Sequence, residues 1–237
     1  MSSIVRLDNV EHAALKLRRG HGVPSGEAVN QVAIFASEFD RVQREYPILF
    51  TRVEGRLQAI AILGFARDEN VFLGDDGSWN AAYVPALFRR GPFQIGMADG
   101  ESVLLVELGH PRIAGDGEGG DPLFKPHGGN GPALEAAIDA LRDLRAGAAV
   151  AETMSALFDE LALVEALRLQ VQLDEHAGVD FDGYLAVTPE AIARLDGAAL
   201  ARLNAAGLLD VAIFASASLG TMANLVARKQ RKRAAAA

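Results

Sequence analysis

The dipeptide Asp99-Gly100 is the strongest constraint this chain places on its own fold. A two-residue hairpin turn demands positive φ, which glycine adopts freely, and apolar-rich segments at 93–98 and 101–108 flank the pair. A second turn signal, Glu54-Gly55-Arg56, lies between apolar runs at 48–54 and 57–63. Residues 29–36 are apolar enough for a buried strand. Ser37-Glu38-Phe39-Asp40 then predicts a short helix, with Ser37 as N-cap and Asp40 as the reciprocal acidic residue. Phe39, Val42 and Tyr46 share one face of that helix, and Pro47 ends it. The first half is therefore expected to be antiparallel strands.

The period changes after a glycine-rich stretch, 115–131, expected to be a long surface connection. Pro132 suits a first helical turn, and Leu134, Ile138, Leu141 and Leu144 form an apolar stripe behind it. Met154, Leu157, Phe158, Leu161 and Val164 form another. Residues 167–173 alternate strictly between apolar and polar, which predicts a half-buried strand, and 181–187 can return against it across a polar loop at 174–180. Thr188-Pro189-Glu190 opens a further helix and Gly207 stops helical packing. The expected class is α+β: a strand-rich N-terminal half, then a mainly helical C-terminal half holding one short hairpin. The expected organisation is an N-terminal arm at 1–28, one domain at 29–227 and a basic tail at 228–237.

Charge and composition exclude several functions. Removing Arg228, Lys229, Arg231, Lys232 and Arg233 from a net charge of −8 leaves −13 on the remaining chain, which repels phosphate backbones. No nucleic-acid partner is expected, and the tail is expected to be a solvated terminus. No cysteine is present, so neither a thiol nucleophile nor a cysteine-ligated zinc is available. Charges interrupt residues 1–20, so no signal peptide is expected. Residues 211–227 are uncharged, but Ser216, Ser218, Gly220, Thr221 and Asn224 break their apolar character. A packed core helix is expected there, without stable membrane insertion, in a cytoplasmic protein, signal-less export remaining an alternative.

His12, His21, His110, His127 and His176 show no spacing that places two ligands on one metal, and no cofactor is expected. The acidic glycine loop at 115–121 is a single copy without the glutamate an EF-hand needs eleven residues after Asp116. Gly-x-Ser-x-Gly is absent. The informative stretch is 70–93, which carries the only tryptophan, Trp79, with Tyr83, Phe88 and the pair Arg89-Arg90 held between Pro85 and Pro92. Aromatic rings and arginine forks are what recognition patches favour. Trp79, Tyr83, Phe88, Arg89 and Arg90 are the candidate binding residues, with Trp79 and Tyr83 expected to line one hollow. Simple core filling by the rings is the competing reading.

At these residues the sequence resembles the SapC family of bacterial proteins, named for a surface-layer gene cluster and distinct from the peptide-transport permease of the same name. The matching elements are Glu45-Tyr46-Pro47-Ile48-Leu49-Phe50, Ala61-Ile62-Leu63-Gly64, Asn70-Val71-Phe72-Leu73 and Gly77-Ser78-Trp79. Tyr83-Val84-Pro85-Ala86 with Arg89-Arg90-Gly91-Pro92-Phe93 is the most specific. The chain departs at Val187-Thr188-Pro189-Glu190, where the family has Val-Asp-Glu, and at Leu105-Val106-Glu107, where relatives often carry cysteine. The resemblance implies a link to surface layers, and to TonB-dependent receptors, flavin halogenase-like proteins and cupin-type peptidyl hydroxylases as gene neighbours. With no catalytic constellation, the expected function is a non-catalytic binding or accessory protein with a protein or peptide partner. The alternatives are an enzyme using dispersed residues such as Asp75, Asp76 and His110, and a structural surface-layer component.

Overall fold

The computed structural model describes residues 3–115, 117–167, 170–172, 178–180 and 182–236. In chain order, strands β1 (Ile4–Arg6), β2 (Lys16–Leu17) and β3 (Gln31–Ala33) precede helix α1 (Phe39–Val42). The hairpin β4 (Ile48–Val53) and β5 (Arg56–Ile62) and the one-turn helix α2 (Ala86–Arg89) follow. Next come the hairpin β6 (Phe93–Ala98) and β7 (Glu101–Glu107), then β8 (Ile113–Ala114) and β9 (Asp121–Pro122). Helix α3 (Pro132–Glu160) opens the second half, before β10 (Val164–Ala166), β11 (Gln170–Gln172), β12 (Gly178–Asp180) and β13 (Leu185–Val187). Helices α4 (Pro189–Ala193), α5 (Gly197–Ala205), α6 (Leu209–Ser218) and α7 (Met222–Ala236) complete it. The class is α+β, with antiparallel strands first and helices after.

Both expected hairpins form. Ala98 pairs with Glu101 across Asp99 (φ 51°) and Gly100 (φ 81°), and Val53 pairs with Arg56 across Glu54 (φ 51°) and Gly55 (φ 80°). Positive φ at both central residues matches the twist of the flanking strands. In the second turn Arg56 is already strand, so the loop is two residues rather than three.

The large sheet has the order β10-β13-β4-β5-β3, and a smaller one runs β1-β7-β6. The five-stranded sheet packs against α6 and the C-terminal part of α3, burying Phe39, Phe50, Phe72 and Phe158 completely. Each such burial contributes about 1.5–3 kcal/mol. The small sheet has its own core, where Phe93 and Val106 meet Leu134, Ala137 and Leu141. Helix α3 joins the two cores. The first apolar stripe and the start of the second (Met154, Leu157, Phe158) belong to one helix of 29 residues, roughly 44 Å long at 1.5 Å per residue, while Leu161 lies just past its end and Val164 opens β10. Midway, Gly147 lets α3 lie directly on the chain before α1, because a Cβ there would sit 2.3 Å from Phe35 Cβ.

Several local expectations are corrected. The first helix starts with a 3-10 turn at Ala36–Glu38 capped at Phe35, whose N–H donates to Glu38 Oε2 (3.1 Å). Ser37 does not cap it, because its hydroxyl donates to Asp143 O on α3 (2.7 Å). The hairpin expected between 167–173 and 181–187 is longer: β10 pairs with β13 and β11 with β12. Its register shifts by one residue between the two ladders. Arg168, Leu169, Leu173, His176 and Phe181, and Asp116 of the acidic loop, lie outside the described residues. The residues expected as a core helix form α6, a 3-10 turn and α7. Ser218 there is fully buried, accepting from Ile48 N (2.8 Å) and donating to Ala215 O (2.6 Å). Leu209–Ala235 is long and apolar enough to cross a membrane, and 44% of its most apolar stretch is buried inside the fold.

The basic tail is docked through several of its charges rather than solvated throughout. Lys229 pairs with Glu69, and Lys232 donates to the carbonyls of Leu73 and Asn70. Arg228 lies 4.6 Å over the Phe72 ring and 3.8 Å from the Glu45 carboxylate. Positions 228, 229 and 232 share a helix face, so one turn of α7 presents all three cations to the 69–73 loop.

Candidate functional site

The 70–93 segment is irregular backbone fixed by side chains. Asn70 is buried, accepting from Phe72 N (3.0 Å) and donating to Glu27 O (2.9 Å). A tight loop then returns the chain: Gly74 N bonds Ser78 O (2.8 Å), Asp76 accepts from Ser78 N (2.9 Å), and Leu73 bridges Trp79. Trp79 ends up between rings, with centroids 5.2 Å from His21, 6.4 Å from Phe72 and 5.5 Å from Phe88. Its indole N–H donates to Tyr46 Oη (2.8 Å), and the Tyr46 hydroxyl donates to Tyr83 O. Burial raises the Tyr46 phenol pKa far above its ordinary value, so this hydroxyl stays a neutral donor.

Tyr83 is the centre of a charged cluster. Its hydroxyl donates to Glu38 Oε1 (2.9 Å) and accepts from Arg89 Nη2 (3.1 Å). Arg41 and Arg89 lie over its ring at 4.8 and 5.0 Å, and both donate to Asp143, at 3.1 and 2.6 Å. Glu38 also accepts from Ala86 N (2.7 Å), capping the first turn of α2 from a distant element. Burial pushes the Glu38 carboxyl above its usual range, against the hydrogen bonds and the nearby Arg89 that favour the charged form. A raised carboxyl can mark an acid catalyst. Glu38, however, lines none of the cavities described below, and its acceptors are used by Phe35, Ala86 and Tyr83.

Arg90 faces elsewhere, because successive residues on a helical turn diverge by about 100°. Its Nη1 donates to Phe93 O (2.9 Å), and with Phe88 it lines a cleft of about 340 Å³. Ser25, Glu27, Glu107 and His110 supply the other polar walls. Glu27 is 2% exposed and accepts from Gly22 N (2.5 Å), with His21 Nδ1 at 2.9 Å. His110 Nδ1 accepts from Arg112 N (3.1 Å), which assigns the ring proton to Nε2. Burial lowers the His110 pKa, with Glu107 opposing and Arg112 assisting, so the imidazole is neutral at pH 7.

Of the five candidate residues, Phe88 and Arg90 share this cleft. Trp79 and Tyr83 do not share a hollow: Trp79 backs Phe88 from inside, and Tyr83 and Arg89 belong to the Glu38–Asp143 cluster. Asp75 lines a different cavity of about 630 Å³ with His21, Glu69 and Lys232, while Asp76 caps Ser78 N, so neither converges with His110. Sequence reading missed Glu27, Glu107, Glu38, Arg41 and Asp143. Glu27 and Glu38 border apolar runs, which is the one signal that pointed to burial. Among the described residues, no three His, Asp or Glu side chains group as a metal site.

A protein-family model described as SapC matches residues 7–225. No curated protein and no solved structure matches the chain.

Proposed function

The chain belongs to the SapC family, and from that premise we propose that it is a non-catalytic binding and accessory protein. The observation that carries this reading is the division of labour between the two arginines. Arg89 is tied into an internal cluster, whereas Arg90 and Phe88 open onto a cleft whose walls carry both signs of charge. A guanidinium and an imidazole N–H suit a carboxylate, Glu107 suits an ammonium, and Leu87, Phe88 and Val32 suit an apolar body. The matching ligand is a zwitterionic peptide end or a small molecule of that type.

By the family's implied context, the protein serves TonB-dependent uptake, a surface layer or a peptide-modifying system from the cytoplasm. Its acidic body disfavours nucleic acid. The test is native mass spectrometry on protein recovered from its own cells. A bound mass present in the wild type and absent from Arg90→Ala supports the reading. Identical spectra for the two proteins refute it.

One observation favours a second reading, an enzyme acting on peptides: the Nε2–H of neutral His110 and the Glu107 carboxylate line the same cleft, a donor and an acceptor for acid–base chemistry. Turnover of a peptide mixture that disappears with His110→Ala would select it.

A further inference from the structure

Strand β6 is an open edge of the β1-β7-β6 sheet. Its register on β7 (Gln94↔Leu105, Gly96↔Val103) and the bond from Glu107 N to Pro92 O (3.0 Å) fix which residues bond inward. Even-numbered residues bond β7, so the N–H and C=O of Phe93, Ile95 and Met97 point away from the sheet. Arg90 closes the Phe93 pair: Phe93 N donates to Arg90 O (3.2 Å) and Arg90 Nη1 to Phe93 O (2.9 Å). Ile95 and Met97 have no such closure among the described residues.

The side chains at this edge are open as well. Ile95 is 42% exposed and Met97 68%. They form one wall of an apolar trough of about 430 Å³, with Leu141, Leu144 and Ala148 of α3 beneath and Phe35 and Leu87 opposite. No proline, lysine or bulge guards the edge, the devices by which exposed strands usually avoid pairing. The trough has one charged lining residue, Arg145, which is exposed and forms no ion pair among the described residues.

We propose that β6 receives an extended peptide segment as an added strand. The segment's backbone bonds the N–H and C=O groups of Ile95 and Met97, its alternate apolar side chains enter the trough, and an acidic side chain meets Arg145. Charge complementarity selects this occupant, because an apolar strand bearing a carboxylate satisfies both the trough and its one charged lining residue, Arg145. This surface is separate from the Arg90 cleft, and the inference stands whether or not that cleft binds a ligand.

The probe is a fluorescent heptapeptide of alternating threonine and valine with one central glutamate, beside a twin carrying lysine instead. Fluorescence anisotropy up to millimolar peptide should show the glutamate form binding about fivefold tighter, the size of one exposed charge contact. Arg145→Glu should invert that preference. Met97→Pro, which removes an outward N–H together with one trough-lining side chain, should abolish binding of both peptides, and a probe N-methylated on its bonding edge separates the two effects. If Met97→Pro fails to fold, the N-methylated probe still makes the backbone test on wild-type protein and should not bind. Binding should also slow hydrogen exchange at the Ile95 and Met97 amides. Equal affinity for the two peptides, retained binding of the N-methylated probe, or no binding at all would overturn the proposal.

Discussion

Arg89→Ala should cost stability, whereas its neighbour Arg90→Ala should not. Arg89 makes two charge-assisted hydrogen bonds, to Asp143 (2.6 Å) and Tyr83 Oη (3.1 Å), each of a kind that contributes about 1.5–3 kcal/mol. Three effects reduce that sum. Asp143 keeps Arg41 at 3.1 Å, both Arg89 and Asp143 are 26% exposed and so screened by water, and the truncation removes a buried Nε that has no acceptor. The net loss is about 2–3 kcal/mol, or roughly 4–12 °C in Tm for a chain of this size. Arg90 has one bond to a backbone carbonyl and a solvent-facing cleft, so its loss should stay within about 1 kcal/mol. Urea unfolding followed by circular dichroism, with Asp143→Ala and the double variant completing a cycle, measures both. If Arg89→Ala unfolds within about 0.5 kcal/mol of wild type, or couples to Asp143 by less than that, the internal-cluster assignment is wrong.

Three further outcomes are expected. Gly147→Ala should destabilise by about 1–2 kcal/mol in thermal unfolding, because overpacking against Phe35 exceeds the helical gain of about 1 kcal/mol; a rise in Tm would contradict the close helix approach. Gly100→Val should cost about 1–2 kcal/mol from backbone conformation alone, since φ is 81° and no atom lies within 4 Å of the new Cβ, and loss of the 93–107 strand signals by NMR would show a larger role for the turn. Glu38 holds its proton more tightly folded than unfolded, so its contribution is fullest below the ordinary carboxyl value of 4.5 and is lost as pH rises through the raised folded value. The wild-type-minus-Glu38→Gln difference in unfolding free energy should therefore fall with increasing pH across that window, and a flat difference would refute the shift.

Local signals in the sequence carried the parts of the fold that local physics decides. Asp99-Gly100 was legible because the whole conformational demand of the turn falls on two residues. The helical half was legible because its stripes repeat over many residues. Strands Ile4–Arg6 and Lys16–Leu17 were not, being too short to show a period and paired with partners about a hundred positions away. Ser37 looked like a cap because the pattern fits; tertiary contact with Asp143 redirected its hydroxyl. The site was half legible for the same reason. Arg90 and Phe88 lie in the aromatic-arginine stretch, but Glu27 on one side and Glu107 with His110 on the other come from two further segments that only the folded chain assembles. That Arg89 and Arg90 part company follows from helical geometry rather than from residue type.

In the proposed function, Arg90 and Phe88 face a ligand site. The only tryptophan reports on it directly, since Trp79 lies 5.5 Å behind Phe88. Titration with a panel of dipeptides should shift Trp79 emission saturably for at least one member. The same shift should be lost in Arg90→Ala and kept in any Arg89→Ala protein that remains folded. Saturable shifts that survive Arg90→Ala, or emission unmoved by every dipeptide, would rule out a ligand at Arg90 and Phe88.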